Sequence, residues 1–242
     1  MVFGKQCRFS FDAAYIAKKY ARTSRRKSGD ASPLAADSPD RRLFHLCHGE
    51  NKLKLYDYTY EQIQALLLAW NEPVFRAKQI FAWCAKGAPI EQMHNIPKAL
   101  RQKLASLGLG GMRIEQTHRS ADGTKKFLFR CEDGNAVEGV LMKNHHGGTL
   151  CISTQAGCRM GCAFCASTQL GLARNLTIGE LCGQLYAVRR QEGEDSFTHV
   201  VLMGCGEPLD NYENVVAFLR IVSDDRGMGL SLRHVSLSTC GL

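Results

Sequence analysis

TLCISTQAGCRMGCAFC, residues 149–165, sets a short apolar run against a tight cysteine triplet. TLCIST has the length and the β-branched content of a strand. Cys158, Cys162 and Cys165 follow it at spacings of four and three, with an aromatic, Phe164, just before the last. Downstream the order is strand, loop, helix, repeated. TIGELCGQLYAVRRQ (177–191) reads as a helix, THVVLMG (198–204) as a strand, NYENVVAFLRIVSDD (211–225) as a helix and RHVSLST (233–239) as a strand. Such alternation implies a parallel sheet of βα units, whose functional groups sit in the loops at the C-terminal ends of the strands. The triplet is at such an end.

Zinc is the bland occupant of a cysteine cluster. A structural zinc site wants four ligands, commonly as two close pairs far apart in sequence. Here there is one triplet and no second pair downstream. His145, His146 or Cys151 can complete a set, but none at a familiar finger spacing. Thiolates at close spacing also hold iron–sulfur clusters. Three ligands on one loop fit a [4Fe–4S] cube with one iron left open to a ligand, and this reading is preferred.

Two further strand ends carry polar groups. MGCGEPL (203–209) places Gly204 and Gly206 beside a lone carboxylate, Glu207, which can accept hydrogen bonds from an amino group, although Gly-Glu-Pro is also a common turn. Glycine lets a backbone approach a ligand closely. SLSTCG (236–241) ends its strand on Ser238 and Thr239, hydroxyls that can bind a carboxylate or cap a following helix. Three successive strand ends with candidate ligand groups describe one pocket.

Upstream, TKKFLFRCEDGNAVEGVLM (124–142) is two alternating runs around Asp133-Gly134-Asn135, a β-hairpin by its turn residues. Before it lie three helices. TYEQIQALLLAW (59–70) opens with Thr59 and Gln62 as a capping box and carries Ile63, Leu66, Leu67 and Trp70 as its apolar stripe. NEPVFRAKQIFAWCAKG (71–87) and IPKALRQKLASLGLG (96–110) each open near a proline and close on glycine. Arg76, Lys78, Lys98, Arg101 and Lys103 on these helices either track phosphates or form an ordinary solvated face. The first 52 residues read as a poor folder. ARTSRRKSGDASPLAADSPDRR lacks apolar periodicity and is expected to be disordered, and FSFDAAYIAKKYA (9–21) can form a short basic helix. An Arg- and Ser-rich opening also has the composition of a transit peptide, but an extension or a misplaced start fits better.

The chain has 242 residues, 45% hydrophobic and 22% charged, with a formal net charge of +8. That is ordinary globular composition with a basic excess, pointing to a polyanionic partner, nucleic acid first. No run approaches the ~18 apolar residues of a membrane span, so no membrane partner is expected. Eleven cysteines without an apolar leader argue for a reducing compartment, the cytoplasm, where dense thiols serve metal or redox chemistry.

The triplet with its aromatic, followed by GEP, resembles the radical S-adenosylmethionine (SAM) superfamily. More closely, CISTQAGCRMGCAFCASTQLGLARNLTIGE (151–180), LMGCGEPLDNYENV (202–215) and HVSLSTCGL (234–242) are similar to the bacterial methyltransferases that act on adenine C2 of 23S ribosomal RNA and of transfer RNA. The similarity runs from about Leu53 to Leu242. It implies an α/β fold, a partial radical SAM (βα) barrel of about three βα units preceded by a small helical domain and a β-hairpin. The boundaries are a disordered extension over 1–52, a helical accessory RNA-binding domain over 53–110, and the hairpin with the half-barrel over 111–242.

By position, the resemblance implies that Cys158, Cys162 and Cys165 ligate a [4Fe–4S] cluster, that Gly206, Glu207 and Ser238 bind SAM, that Glu138 is the general base, and that Cys151 resolves the covalent RNA adduct. The open iron would chelate SAM, whose reductive cleavage yields the radical needed to methylate an electrophilic aromatic carbon. The partners implied are 23S rRNA, tRNA and an electron-donor protein, with the enzyme a monomer. The methyl-carrying cysteine has no match, since Cys240 belongs to the STCG motif. The chain stops after its third parallel strand, like an incomplete domain with an open sheet edge. Residues 1–242 alone are therefore expected to fold poorly and not to methylate RNA. The alternatives are the C8-methylating relative, which shares these motifs, and a zinc-stabilised RNA-binding module without catalysis.

Overall fold

The computed structural model describes residues 10–12 and 53–242, apart from 145, 146 and 170. The disorder expected over 1–52 therefore falls almost wholly outside the described residues. Within that stretch only β1 (Ser10–Asp12) is described, and it is extended where a helix was expected to begin.

Three helices come first: α1 (Tyr60–Ala69), α2 (Arg76–Ala85) and α3 (Lys98–Leu107). Thr59 and Gln62 close the expected capping box, the Thr59 hydroxyl accepting from Gln62 N–H and the Gln62 side chain accepting from Thr59 N–H at 2.8 Å. The strands are β2 (Arg113–Arg119), β3 (Lys125–Arg130), β4 (Ala136–Asn144), β5 (Gly147–Ile152), β8 (His199–Leu202) and β9 (Val235–Ser238). With β1 they form one seven-stranded sheet in the order β1-β9-β8-β5-β4-β3-β2. Only β5, β8 and β9 are mutually parallel. The β3–β4 hairpin does not stand apart as a preceding element: β4 pairs antiparallel with β5 and extends the same sheet. Beyond β9, the edge expected to lie open is paired with β1.

Two helices, α4 (Ile178–Glu192) and α5 (Tyr212–Ser223), cover one face of the sheet. Leu150, Ile152, Val200, Leu202, Val235 and Leu237 alternate onto that face and are buried, joined by Phe127, Phe129, Val137 and Leu141 from the hairpin. The three helices lie over α4 on its other side. Residues 178–188 of α4 are therefore buried all round, as expected of a helix in a middle layer. Two glycines make this contact possible. A side chain at Gly179 would strike the Asp57 carboxylate at 2.7 Å, and one at Gly183 would strike Gly111 at 2.5 Å. Asp57 uses the space to accept from Gly179 N–H (2.6 Å) at the N-terminus of α4 and from Lys54 N–H (2.9 Å). Burial still raises its carboxyl above the usual range. A single apolar cluster runs from Leu55 through α4 to Leu237, so the helical unit and the sheet share one core.

Candidate active site

The opposite face of the sheet is half open. By strand alternation it carries Glu138 and Val140 of β4, Cys151 of β5, Val201 of β8, and Ser236 and Ser238 of β9, with Cys151 in register with Val140 and Val201. Three residues singled out from separate stretches, Glu138, Cys151 and Ser238, thus share one surface. Glu138 is exposed and ion-pairs with Lys126 at 2.6 Å. Cys151 is half-buried, which pushes its thiol up and keeps it protonated at neutral pH. Ser238 is exposed at the end of β9.

At the C-terminal edge of β5, β8 and β9 stand the other candidates. The chain leaves β5 into β6 (Gln155–Gly157), which pairs with β7 (Leu172–Asn175), and these two enclose the cysteine loop. Cys158 N–H donates to Gly171 O (3.0 Å) across the loop's base, and Cys165 N–H donates to Cys162 O (3.0 Å) within it. Gly157, at φ +81°, allows that base to close, since a side chain there would lie 2.0 Å from Gly171 O. Cys158 is buried, Cys162 and Cys165 half-buried, and Phe164 is 91% exposed. Burial raises the Cys158 thiol, and the neighbouring Cys205, Cys165 and Cys162 raise it further, so these thiols share one neighbourhood.

Among the described residues, no three His, Cys, Asp or Glu side chains are gathered closely enough to hold a metal ion. The donor chemistry nevertheless fits a thiolate-ligated cluster. Three thiols lie on one loop at the C-terminal edge of β5, β8 and β9, where Gly161 adopts φ +70° with nothing packed against its Cβ position. Cys158, Cys162 and Cys165 would be the residues that hold it.

Glu207 is 4% exposed, and its carboxylate is a strut: one oxygen accepts from Leu209 N–H (2.9 Å), the other from Cys240 N–H (2.7 Å). It ties the end of β8 to the end of β9, and each oxygen keeps a lone pair for a further donor. The space beside Gly206, at φ +104°, is taken by Gln155, whose Cβ lies 2.6 Å from where a side chain would begin.

Sequence reading passed over Gln155, which holds the edge together. Fully buried, its Oε1 accepts from Glu207 N–H (2.8 Å), while its Nε2 donates to Asn175 Oδ1 (2.7 Å) and Asp210 Oδ2 (2.9 Å). Asp210 also pairs with Arg159 of the cysteine loop, which holds its carboxyl below the usual range. Gln184 was missed too. It is fully buried in α4 and clamps Ser153 with both amide groups, accepting from its N–H (3.0 Å) and donating to its C=O (2.9 Å). Asn211 donates to Thr154 O and Leu176 O. The available signal was the polar residue itself: an amide inside an apolar strand or helix needs a buried partner.

Residues 53–108 match the family described as "Ribosomal RNA large subunit methyltransferase N-terminal domain". The chain is 50% identical over 191 residues to the "Probable dual-specificity RNA methyltransferase RlmN" of Clostridium botulinum strain Eklund 17B, covering 78% of this chain and 55% of the relative. It is 47% identical over 195 residues to the protein of the same name from Alkaliphilus metalliredigens, covering 79% and 55%. The crystal structure of a radical SAM methyltransferase from Sphaerobacter thermophilus superposes with a TM-score of 0.75 at 40% identity, covering 78% of this chain and 57% of that one. The chain spans about half the length of the curated relatives it matches. In sequence it is similar to proteins named as probable dual-specificity RNA methyltransferases, and in fold to a radical SAM methyltransferase, over the part of each that it spans.

Proposed function

We propose that the chain is part of a cytoplasmic radical SAM enzyme that methylates C2 of an adenine in 23S rRNA and in tRNA. The observation that carries this reading is the convergence of a three-cysteine loop, the GEP turn and the STCG strand end at one sheet edge, tied through Glu207 and Gln155. Adenine C2 is electron-poor, so transfer of a methyl cation from SAM is disfavoured there. A [4Fe–4S] cluster bound by Cys158, Cys162 and Cys165 would supply the electron, from a donor protein, that cleaves SAM and opens a radical route.

The chain's own residues orient that chemistry. Glu207 presents the remaining lone pairs of its carboxylate toward SAM's amino group, and Ser238 offers a hydroxyl from the neighbouring strand. Glu138 stands on the open face as the base that takes the adenine proton, with Lys126 holding its carboxylate. Cys151, opposite Val140 on the neighbouring strand β5, would pair transiently with the methyl-carrying cysteine, that sulfur's bond to the RNA adduct breaking as the disulfide forms. Residues 1–242 by themselves are proposed to bind the cluster at most and not to methylate RNA, since no cysteine among them matches the methyl carrier that this chemistry needs.

The test is methylation of ribosomal RNA and tRNA by the full-length protein, with cluster, reductant and isotope-labelled SAM, followed by nucleoside analysis. Labelled 2-methyladenosine supports the reading. Labelled 8-methyladenosine would assign the C8 chemistry instead, and stoichiometric zinc with no transfer would leave a zinc-stabilised RNA-binding module.

A further inference from the structure

The outer part of the cysteine loop has few ties to the rest of the protein. At its base Cys158 N–H reaches Gly171 O, and at its far end Cys165 N–H reaches only Cys162 O, within the loop itself. Between them, positions 159–164 make no backbone hydrogen bond to a strand or helix among the described residues. One ion pair ties this span to the sheet edge, that of Arg159 with Asp210.

The two partners of that pair are not equivalent. The Arg159 side chain is 64% exposed and that of Asp210 only 9%. Asp210 stands in the short helical turn Pro208–Asn211 that follows Glu207, and its N–H donates to Glu207 O at 3.1 Å. Gln155 Nε2 donates to Asp210 Oδ2 at 2.9 Å, and Asn175 Nδ2 donates to Asp210 O at 3.2 Å. The turn, β6 and β7 thus fix the carboxylate, and its other oxygen, Oδ1, meets Arg159. A carboxylate fixed in advance loses little freedom on taking a cation, which removes one of the costs that make exposed ion pairs weak. The pair bears on the loop and on no part of the apolar core. Its loss should free the loop and leave the fold intact.

We propose that Asp210 is a positioning residue for the cysteine loop: through Arg159 it holds residues 158–165 to the end of β8 before any cluster is bound, from the same turn that presents Glu207. A loop already held loses less freedom when its thiols take up metal, so the pair favours both capture and retention of a thiolate-ligated cluster. What the grip does for iron rests on the cluster reading above; the grip itself is a property of the metal-free protein.

The test is amide hydrogen exchange in the metal-free full-length protein, read by mass spectrometry on peptides spanning 158–171, where the Cys158 and Cys165 amides are hydrogen-bonded. The parent is compared with Arg159→Gln, Asp210→Asn and the double variant. Asp210→Asn keeps an oxygen for Gln155 Nε2 and removes the charge. Each single change is expected to speed exchange in the loop on the order of fivefold, with peptides from β5 and β8 unchanged. The double variant should be no faster than either single one, as for two groups that act through each other. Arg159→Lys should restore part of the protection, and high salt should narrow the gap between the parent and Arg159→Gln. After reconstitution, Arg159→Gln and Asp210→Asn should release iron to a chelator faster than the parent. Equal loop exchange in the parent and the single variants, additive effects in the double variant, faster exchange throughout β5 and β8, or equal iron release would each overturn the proposal. A parent protein that takes up no iron would contradict the enzyme reading, and the exchange comparison would still decide this one.

Discussion

At the scale of single residues, the candidate site is held by buried polar groups. Glu207 accepts two backbone N–H groups from different strand ends, so its charge is structural before any ligand arrives. Glu207→Gln keeps one acceptor but turns an amide N–H toward the other donor. We expect a loss of about 1.5–3 kcal/mol in urea unfolding, the worth of a charged hydrogen bond, together with weaker SAM binding. Unchanged stability would show that the strut does not form. Gln184→Leu preserves volume but strands the backbone N–H and C=O of Ser153 in the interior, and should cost about 1–3 kcal/mol. These residues were harder to read in the sequence than the cysteines. A CxxxCxxC triplet declares itself by spacing, whereas Gln155 and Gln184 are single amides whose partners lie 20 to 55 positions away.

At the scale of elements, the helices of the βα region were legible because their caps and turns are local. The Thr177–Glu180 capping box fixes the start of α4. β2 was not legible: its exposed side chains show no alternation, and pairing with β3 alone makes it a strand. Nor did the sequence show that the hairpin joins the main sheet, since register between distant strands is set by the shared core. One side chain links three of these elements. Arg174 of β7 makes a bidentate pair with Glu180 at the start of α4 (2.7 Å each) and also reaches Asp133 in the hairpin turn. Arg174 holds the Asp133 carboxyl well below its usual range. A depressed acid pKa contributes stability above the unfolded value, lost as pH falls through the folded one. The Arg174–Asp133 contribution should therefore persist through mildly acidic pH and disappear only in strong acid. Arg174→Ala should flatten this part of the stability–pH curve, measured by urea unfolding at successive pH values. An acid limb identical to that of the parent protein would exclude the link.

For the whole molecule, the helical unit, whose residues 53–108 match a family's N-terminal domain, shares one continuous core with the sheet layers. Asp57 on the α4 terminus and the glycine contacts at 179 and 183 bind the helical unit to the sheet layers. Both tryptophans, Trp70 and Trp83, lie in the helical unit, while far-UV circular dichroism reports every element. The two signals should follow one coincident unfolding transition, and two separated midpoints would show independent domains. Among the described residues no helix is long and apolar enough to cross a membrane.

The central claim is that the loop at residues 158–165 gathers its thiols around an iron–sulfur cluster. The most direct measurement is iron and acid-labile sulfide bound per chain after anaerobic reconstitution, for the parent protein and for Cys158→Ala, Cys162→Ala and Cys165→Ala. The account predicts about four of each per chain in the parent, with loss in all three variants. Bound zinc without iron, or iron retained when any one of these thiols is removed, would contradict it.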